Sequence, residues 1–225
     1  MLGQSGNEKL RPQQGSLWNA LPEIGPERGR ARHHQEKAHS NLFLAVMPDQ
    51  AAAMQASETG RELVRRYDGA SHAMRPRDNL HVTLNPVGGY LKLSETDVFT
   101  VSEVMSSLRA APFEVSFDRI ANFANGNRNL MVLCNAIRSE ELMDLHVQLA
   151  KEMWAAGMTF TYNPRFMPHM TLSYGDAEIA ETVLAEPIRW MVRQVVLIHS
   201  LVGESRYEYL GRWPLSDDGA GSVLS

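Results

Sequence analysis

Phe166-Met167-Pro168-His169-Met170-Thr171-Leu172 decides how the chain is read, because its centre has a twin eighty-eight positions earlier in Asn79-Leu80-His81-Val82-Thr83-Leu84. Both copies run His, apolar, Thr, Leu. Successive side chains of a β-strand point to opposite faces, so a His and a Thr two apart share one face and the apolar residue between them takes the other. Each copy predicts a strand with a buried apolar side and a side bearing an imidazole next to a hydroxyl. A lone His on a strand is more often structural than chemical, and Thr is favoured in strands anyway. Two copies at matching places in the chain reverse that reading.

The surroundings repeat as well. Leu42-Phe43-Leu44-Ala45-Val46-Met47 has strand character, and Asp49 can cap a helix from Ala51 to Tyr67 whose middle is weakened by Gly60. A polar loop, Ser71–Asp78, leads to the first motif. Ser94 with Asp97 resembles a capping box, and Val98, Val101, Met105 and Leu108 then share a helical face. Phe113, Val115 and Phe117 alternate with polar residues as a half-buried strand does, and Ala124–Asn129 is a turn. The second half follows the same order. Leu130–Cys134 is a strand, Ser139 starts a helix with Leu142, Leu145, Leu149 and Met153 on one side, and Gly157 stops it. After the second motif, Ala177–Ala185 reads as a short helix and Val195–Ile198 as a strand. Phe43 precedes His81 by 38 residues and Val132 precedes His169 by 37, which predicts an internal duplication with halves of about 41–118 and 130–199. A closing strand at 206–213 would put Tyr207, Tyr209 and Trp213 on one face.

The totals set outer limits. A chain of 225 residues, 44% hydrophobic and 21% charged, can bury a sizeable core as one domain, here residues 39–215. Residues 1–38 are rich in Gly, Pro, Gln and charge and predict a disordered extension; 216–225 predicts a flexible tail. The basic run Arg28–Lys37 reads as a solvated arm, and His33-His34 lacks a third metal ligand nearby. A net charge of −4 argues against a broad nucleic-acid-coating surface, although an RNA end, with one or two phosphates, is still a possible ligand. The single cysteine, Cys134, excludes an internal disulfide and reads as a packing thiol. No run approaches 18 apolar residues, and the first residues lack the apolar stretch of a signal peptide, so a cytoplasmic protein with no membrane partner is the expectation.

If both motifs line one cleft, its chemistry is narrow. Two imidazoles with ordinary pKa near 6.5 can divide the roles of general base and general acid. Two hydroxyls can donate to non-bridging phosphate oxygens. A phosphodiester suits such a site. His81 and His169 are the candidate catalytic groups and Thr83 and Thr171 the phosphate-binding ones. No Asp, Glu or Cys stands at ligand spacing in either motif, so neither a metal nor a cofactor is expected. Phe43 could stack on a base, although a core role suits it better.

The paired His-x-Thr-Leu, the run Asn41-Leu42-Phe43-Leu44-Ala45, the phrase Phe166-Met167-Pro168-His169 and the ending Ser205–Leu215 resemble the two-histidine (2H) phosphoesterase superfamily. Within it the chain is most similar to the RNA 2′,3′-cyclic phosphodiesterases, historically called 2′-5′ RNA ligases, over about residues 40–215. The resemblance implies a bilobal α+β fold, mostly antiparallel, with flanking helices and one motif from each lobe in a central groove. It implies opening of a 2′,3′-cyclic phosphate to a 2′-phosphate on an RNA terminus or a small nucleotide; a monomer is the separate expectation for the assembly. A 2′-5′ ligase or phosphodiesterase on tRNA halves and a non-catalytic RNA-end-binding module are the alternatives. Two positions depart from the family pattern: Tyr174 stands where an Arg is common, five residues after the second motif His, and Pro86 where an aromatic is common. Tyr174 is a possible substrate contact that brings no charge. Arg165, Arg75 or Arg77, in the loops before the motifs, would have to supply it.

Overall fold

The chain forms strands wherever the sequence predicts them, and it also forms two that were not foreseen. The computed structural model describes residues 39–216 except 68–71, 126–127, 176–177 and 205. The expected extension 1–38 and nearly all of the expected tail lie outside the described residues. In chain order the elements are β1 Ser40–Val46, α1 Gln50–Arg66, β2 His72–Met74, a short 3-10 helix Arg77–Asn79, β3 Val82–Tyr90 and α2 Glu95–Ser107. There follow β4 Phe113–Asn125, β5 Arg128–Cys134, α3 Glu140–Ala155, β6 His169–Gly175, β7 Thr182–Val192, β8 Gln194–Leu201 and β9 Arg206–Pro214.

All three helix starts are capped by the residue the sequence offers. Asp49 accepts from the Ala52 N–H at 2.8 Å, Ser94 from Asp97 at 3.1 Å and Ser139 from Leu142 at 3.3 Å. Gly157 ends the third helix at φ 78°, a left-handed conformation that costs glycine nothing. Among the described residues no helix is long and apolar enough to cross a membrane.

The strands form one sheet in the order β7-β4-β5-β6-β3-β1-β8-β9, with β2 added to β6, and every pairing is antiparallel. Its two sides meet at a single bridge, Val82 opposite Met170. The fold is thus α+β and duplicated about the motif strands. The exchange of outer strands is the surprise. The last strand of the first half, β4, pairs with β5 of the second, and β8 of the second half pairs with β1 of the first. Each side of the sheet is therefore built from both halves of the sequence.

Three expectations need correction. Of the expected short helix Ala177–Ala185, Ala177 lies outside the described residues, 178–181 form no helix, and from Thr182 onward the chain is β7, an edge strand that among the described residues pairs with β4. Thr182 and Val183 are β-branched and suit a strand, and Pro187 is tolerated further along it because on a sheet edge its missing N–H costs little. The polar loop before the first motif contains β2, three residues too short to show a period. On β9, Gly211 sits opposite Leu197 and Tyr209 opposite Ile198, so Leu210 has no partner and the face switches there. Trp213 consequently enters the main core, while Tyr207 packs with Phe43 and Ile198 on the opposite side of the sheet.

The main core lies between the helices and one face of the sheet. Leu42, Leu44, Leu84, Met131, Leu133, Met170 and Leu172 meet Ala52, Ala56, Leu142, Leu149 and Met153 there. Gly60, a weak point for a helix in isolation, is buried in α1 where a Cβ would come within 3.1–3.2 Å of Met74, Met131 and Leu172. Its lack of a side chain lets α1 press on the second motif strand. The opposite face carries only a small cluster, Phe43, Ala45, Val196 and Ile198, and is the face on which the motif polar groups stand.

Candidate active site

The single bridge between Val82 and Met170 places the motifs side by side. Both bridge residues are buried in the core, so His81, Thr83, His169 and Thr171 are turned to the other face. Because the strands are antiparallel, stepping one residue each way sets His81 beside Thr171 and Thr83 beside His169. The cleft therefore holds two crossed His–Thr pairs.

Both imidazoles are held in the same way. His81 Nδ1 donates to the Asn79 carbonyl at 2.8 Å, and His169 Nδ1 donates to the Met167 carbonyl at 2.7 Å. A carbonyl can only accept, so Nδ1 carries the proton and Nε2 is the atom that gains or loses one. In each motif strand the Leu after the Thr is also an extra residue. Thr83 faces Ala45 and Asn85 faces Leu44, leaving Leu84 over; Thr171 faces Val132 and Ser173 faces Met131, leaving Leu172 over. The slip turns Asn85 inward, where its amide donates to the His146 carbonyl of α3 at 3.2 Å, and Ser173 inward against His72 Nδ1 at 3.0 Å. The residues after them, Pro86 and Tyr174, come back to the cleft face. This register also makes Ala45, not Phe43, the counterpart of Val132, two residues away from the correspondence that the 38- and 37-residue spacings predicted.

The neighbours of the two histidines differ. Phe43 stacks on the His81 ring at 5.1 Å and 29°, and Tyr207 meets the same ring edge-on at 5.5 Å. Phe43 is only 9% exposed, so it supports the imidazole and offers no platform for a base. His169 meets Phe123 of β4 at 4.9 Å. Burial pushes the His81 imidazole down to about 4; the Asn79 carbonyl opposes this, and the charges of Arg75 and His169 lower it further. Burial also lowers His169, against its bond to the Met167 carbonyl. Cys134 lies across from His169 in the β5–β6 ladder, but it is buried and its thiol is pushed up to about 11, as suits a packing residue.

Of the three arginines that could supply charge, Arg75 reaches the cleft. Its two terminal amino groups donate to the hydroxyls of Tyr174 and Tyr207, and its guanidinium carbon lies 5.2 Å from the Tyr174 ring centre and 5.8 Å from that of Tyr207. Arg77 is exposed in the 3-10 helix. Arg165 is exposed in the loop before the second motif, where its N–H donates to Asn163 Oδ1 at 3.0 Å. Sequence reasoning missed Phe123 entirely. For Tyr207 it offered only an aromatic alternation on the closing strand. Among the described residues no group of three or more His, Cys, Asp or Glu could hold a metal ion.

A family model described as the 2′-5′ RNA ligase superfamily matches residues 58–204, a stretch that contains both motifs. No curated protein matches the chain in sequence. Solved structures resemble it in fold. Escherichia coli LigT complexed with 3′-AMP is 22% identical, with a TM-score of 0.65 over 80% of this chain and 99% of that one. TT0787 of Thermus thermophilus is 20% identical, with a TM-score of 0.63 over 78% of this chain and 97% of that one. Two His-x-Thr strands joined at one bridge, in a sheet of this architecture and inside a family match covering most of the chain, lead to one conclusion: the chain belongs to the 2′-5′ RNA ligase superfamily, a group of two-histidine phosphoesterases and ligases.

Proposed function

We propose that the chain is a phosphodiesterase that opens 2′,3′-cyclic phosphates, at RNA ends or on small nucleotides, to 2′-phosphates. The observation that carries this reading is the pair of histidines on one face of the sheet, each with Nδ1 bound to a backbone carbonyl. Both rings are thereby fixed in orientation, with Nε2 as the proton-transfer atom. In the reaction, one Nε2 takes a proton from water as its oxygen attacks phosphorus. The other gives a proton to the departing 3′ oxygen as the P–O3′ bond breaks, leaving a 2′-phosphate and a 3′-hydroxyl. Thr83 and Thr171, one beside each histidine, donate to the non-bridging oxygens as negative charge builds there. The residues needed for these steps are all side chains of this chain, so the reaction is proposed to run without a metal.

Escherichia coli LigT has been solved with 3′-AMP, with phosphate and with ATP, which supports a nucleotide-sized phosphoester as the ligand class. The reading takes residues 39–215 as one phosphoesterase domain acting as a cytoplasmic monomer. Tyr174 alone would have favoured a module that binds RNA ends without turnover. Arg75 beside it restores the positive charge and favours catalysis. Incubation of the purified protein with 2′,3′-cyclic nucleotides in EDTA tests the proposal, with 2′-nucleotide as the expected product. No hydrolysis across all four bases and a cyclic-phosphate-ended oligonucleotide would refute it. Cleavage of 2′-5′ linkages instead would point to the other leaving group on the same histidines.

A further inference from the structure

Arg75 is held more firmly than a loop residue needs to be. It follows directly on β2, whose pairing sets Ala73 opposite Tyr174, and its own N–H continues the ladder by donating to the Leu172 carbonyl at 2.8 Å. The backbone is thus fixed by the second motif strand, and the side chain lies between phenols from two distant strands, Tyr174 of β6 and Tyr207 of β9. Among the described residues no carboxylate lies within ion-pair reach of it. Its Nε–H is buried without an acceptor. A half-buried guanidinium with no counter-ion is costly and calls for an explanation.

The chemistry of its holders supplies one. Each phenol oxygen accepts from the guanidinium and keeps its own O–H to donate. Burial raises the Tyr207 phenol above its ordinary range, so it stays a neutral donor. Arg75, Tyr174 and Tyr207 together form a set of donors with one positive charge and no anionic acceptor. Tyr207 also rests on the His81 ring, and Tyr174 is three residues past Thr171 on the same face. We propose that Arg75, gripped by Tyr174 and Tyr207, is the cation that holds the substrate's phosphate at the His81 end of the cleft. The positive charge that favours an anionic phosphoester then comes from Arg75, just past the small edge strand β2, and not from either motif strand. Tyr174 and Tyr207 are positioning residues for the guanidinium and secondary donors to the anion. This deepens the cyclic-phosphodiesterase reading and rests on it for the identity of the phosphate.

Binding separates the two ideas. Inorganic phosphate, 2′-AMP and adenosine are titrated by calorimetry into wild type, Arg75→Ala, Arg75→Lys, Tyr174→Phe and Tyr207→Phe. Loss of a charge-assisted contact should weaken phosphate and 2′-AMP about tenfold or more in Arg75→Ala and leave adenosine unchanged. Arg75→Lys should recover only part of the loss, because an ammonium cannot reach both phenols as a planar fork does. Each Tyr→Phe change should weaken phosphate about threefold. Phosphate bound as tightly by Arg75→Ala as by wild type overturns the proposal, as does an equal loss for adenosine. If Arg75→Ala fails to fold, Arg75→Lys and Tyr174→Phe carry the test, and wild-type phosphate affinity in both overturns it. If wild type hydrolyses no cyclic nucleotide yet Arg75→Ala still loses phosphate, the functional reading falls and the anion site stands.

Discussion

The two ends of the cleft are alike in backbone and unlike in company. At each end a histidine is tied through Nδ1 to the carbonyl two residues before it, a threonine follows, and a leucine drops out of register into the core. Around His81 stand Phe43, Tyr207 and the charge of Arg75, and the imidazole is pushed down to about 4. Around His169 stands Phe123, and the imidazole is lowered by burial alone. A duplicated motif thus reproduces orientation, which depends on residues next to it in sequence. It does not reproduce electrostatics, which depends on strands brought in from elsewhere.

Breaking the likeness should have the largest effect. His81→Ala and His169→Ala are each expected to lower kcat by roughly a hundred- to ten-thousand-fold on a 2′,3′-cyclic nucleotide, with far-UV spectra unchanged. A variant of either that keeps near-wild-type turnover would show that the two ends do not share one proton-transfer task.

The pH profile sharpens the contrast. The active free protein needs one proton across the two imidazoles, so kcat/KM should be maximal between their two apparent pKa values. Both are depressed, His81 to about 4, so the maximum should lie on the acid side of neutrality. Above it, the protonated share is lost as pH rises, about tenfold per unit. A maximum at pH 7.5 or above would contradict the burial-driven shifts.

Smaller effects belong to the hydroxyls and the aromatic supports. Thr83→Val and Thr171→Val should each cost about tenfold in kcat/KM, because each removes a hydrogen bond to a charged oxygen worth about 1.5 kcal/mol. Unequal losses would show that the phosphate sits closer to one end. Phe43→Leu should lower stability by about 1 kcal/mol, since it trims a ring packed between the small cluster and His81. Phe123→Leu, on a half-buried ring, should change it by about 0.5 kcal/mol or less. Urea unfolding midpoints of the two variants compare them directly.

Much of this was legible along the chain. Asp49, Ser94 and Ser139 cap the helices they were expected to cap, Gly157 ends one, and both motifs begin or abut strands with the predicted faces. Each of those features is decided within four residues of itself. The failures have a shared cause. The start of β7, Thr182 to Ala185, read as the end of a short helix because its pattern was weighed without its partner β4, and β2 was too short to have a pattern. The split of Tyr207 from Trp213 arises from a slip against β8 that β9 alone does not reveal.

The sequence by itself determined the two His-x-Thr faces, the duplication and the class of chemistry, because alternation, capping and Nδ1 anchoring are short-range and repeat wherever the motif repeats. Only the tertiary structure decided which outer strand serves which half, and with it the setting of each histidine. β9 brings Tyr207 and β2 brings Arg75 to His81, while β4 brings Phe123 to His169. Strand pairing joins residues as distant as Ser40 and Leu201, the side-chain contact of Arg75 with Tyr207 spans 132 positions, and no local pattern encodes either. The positive charge missing at Tyr174 is therefore invisible in the motif and present in the fold.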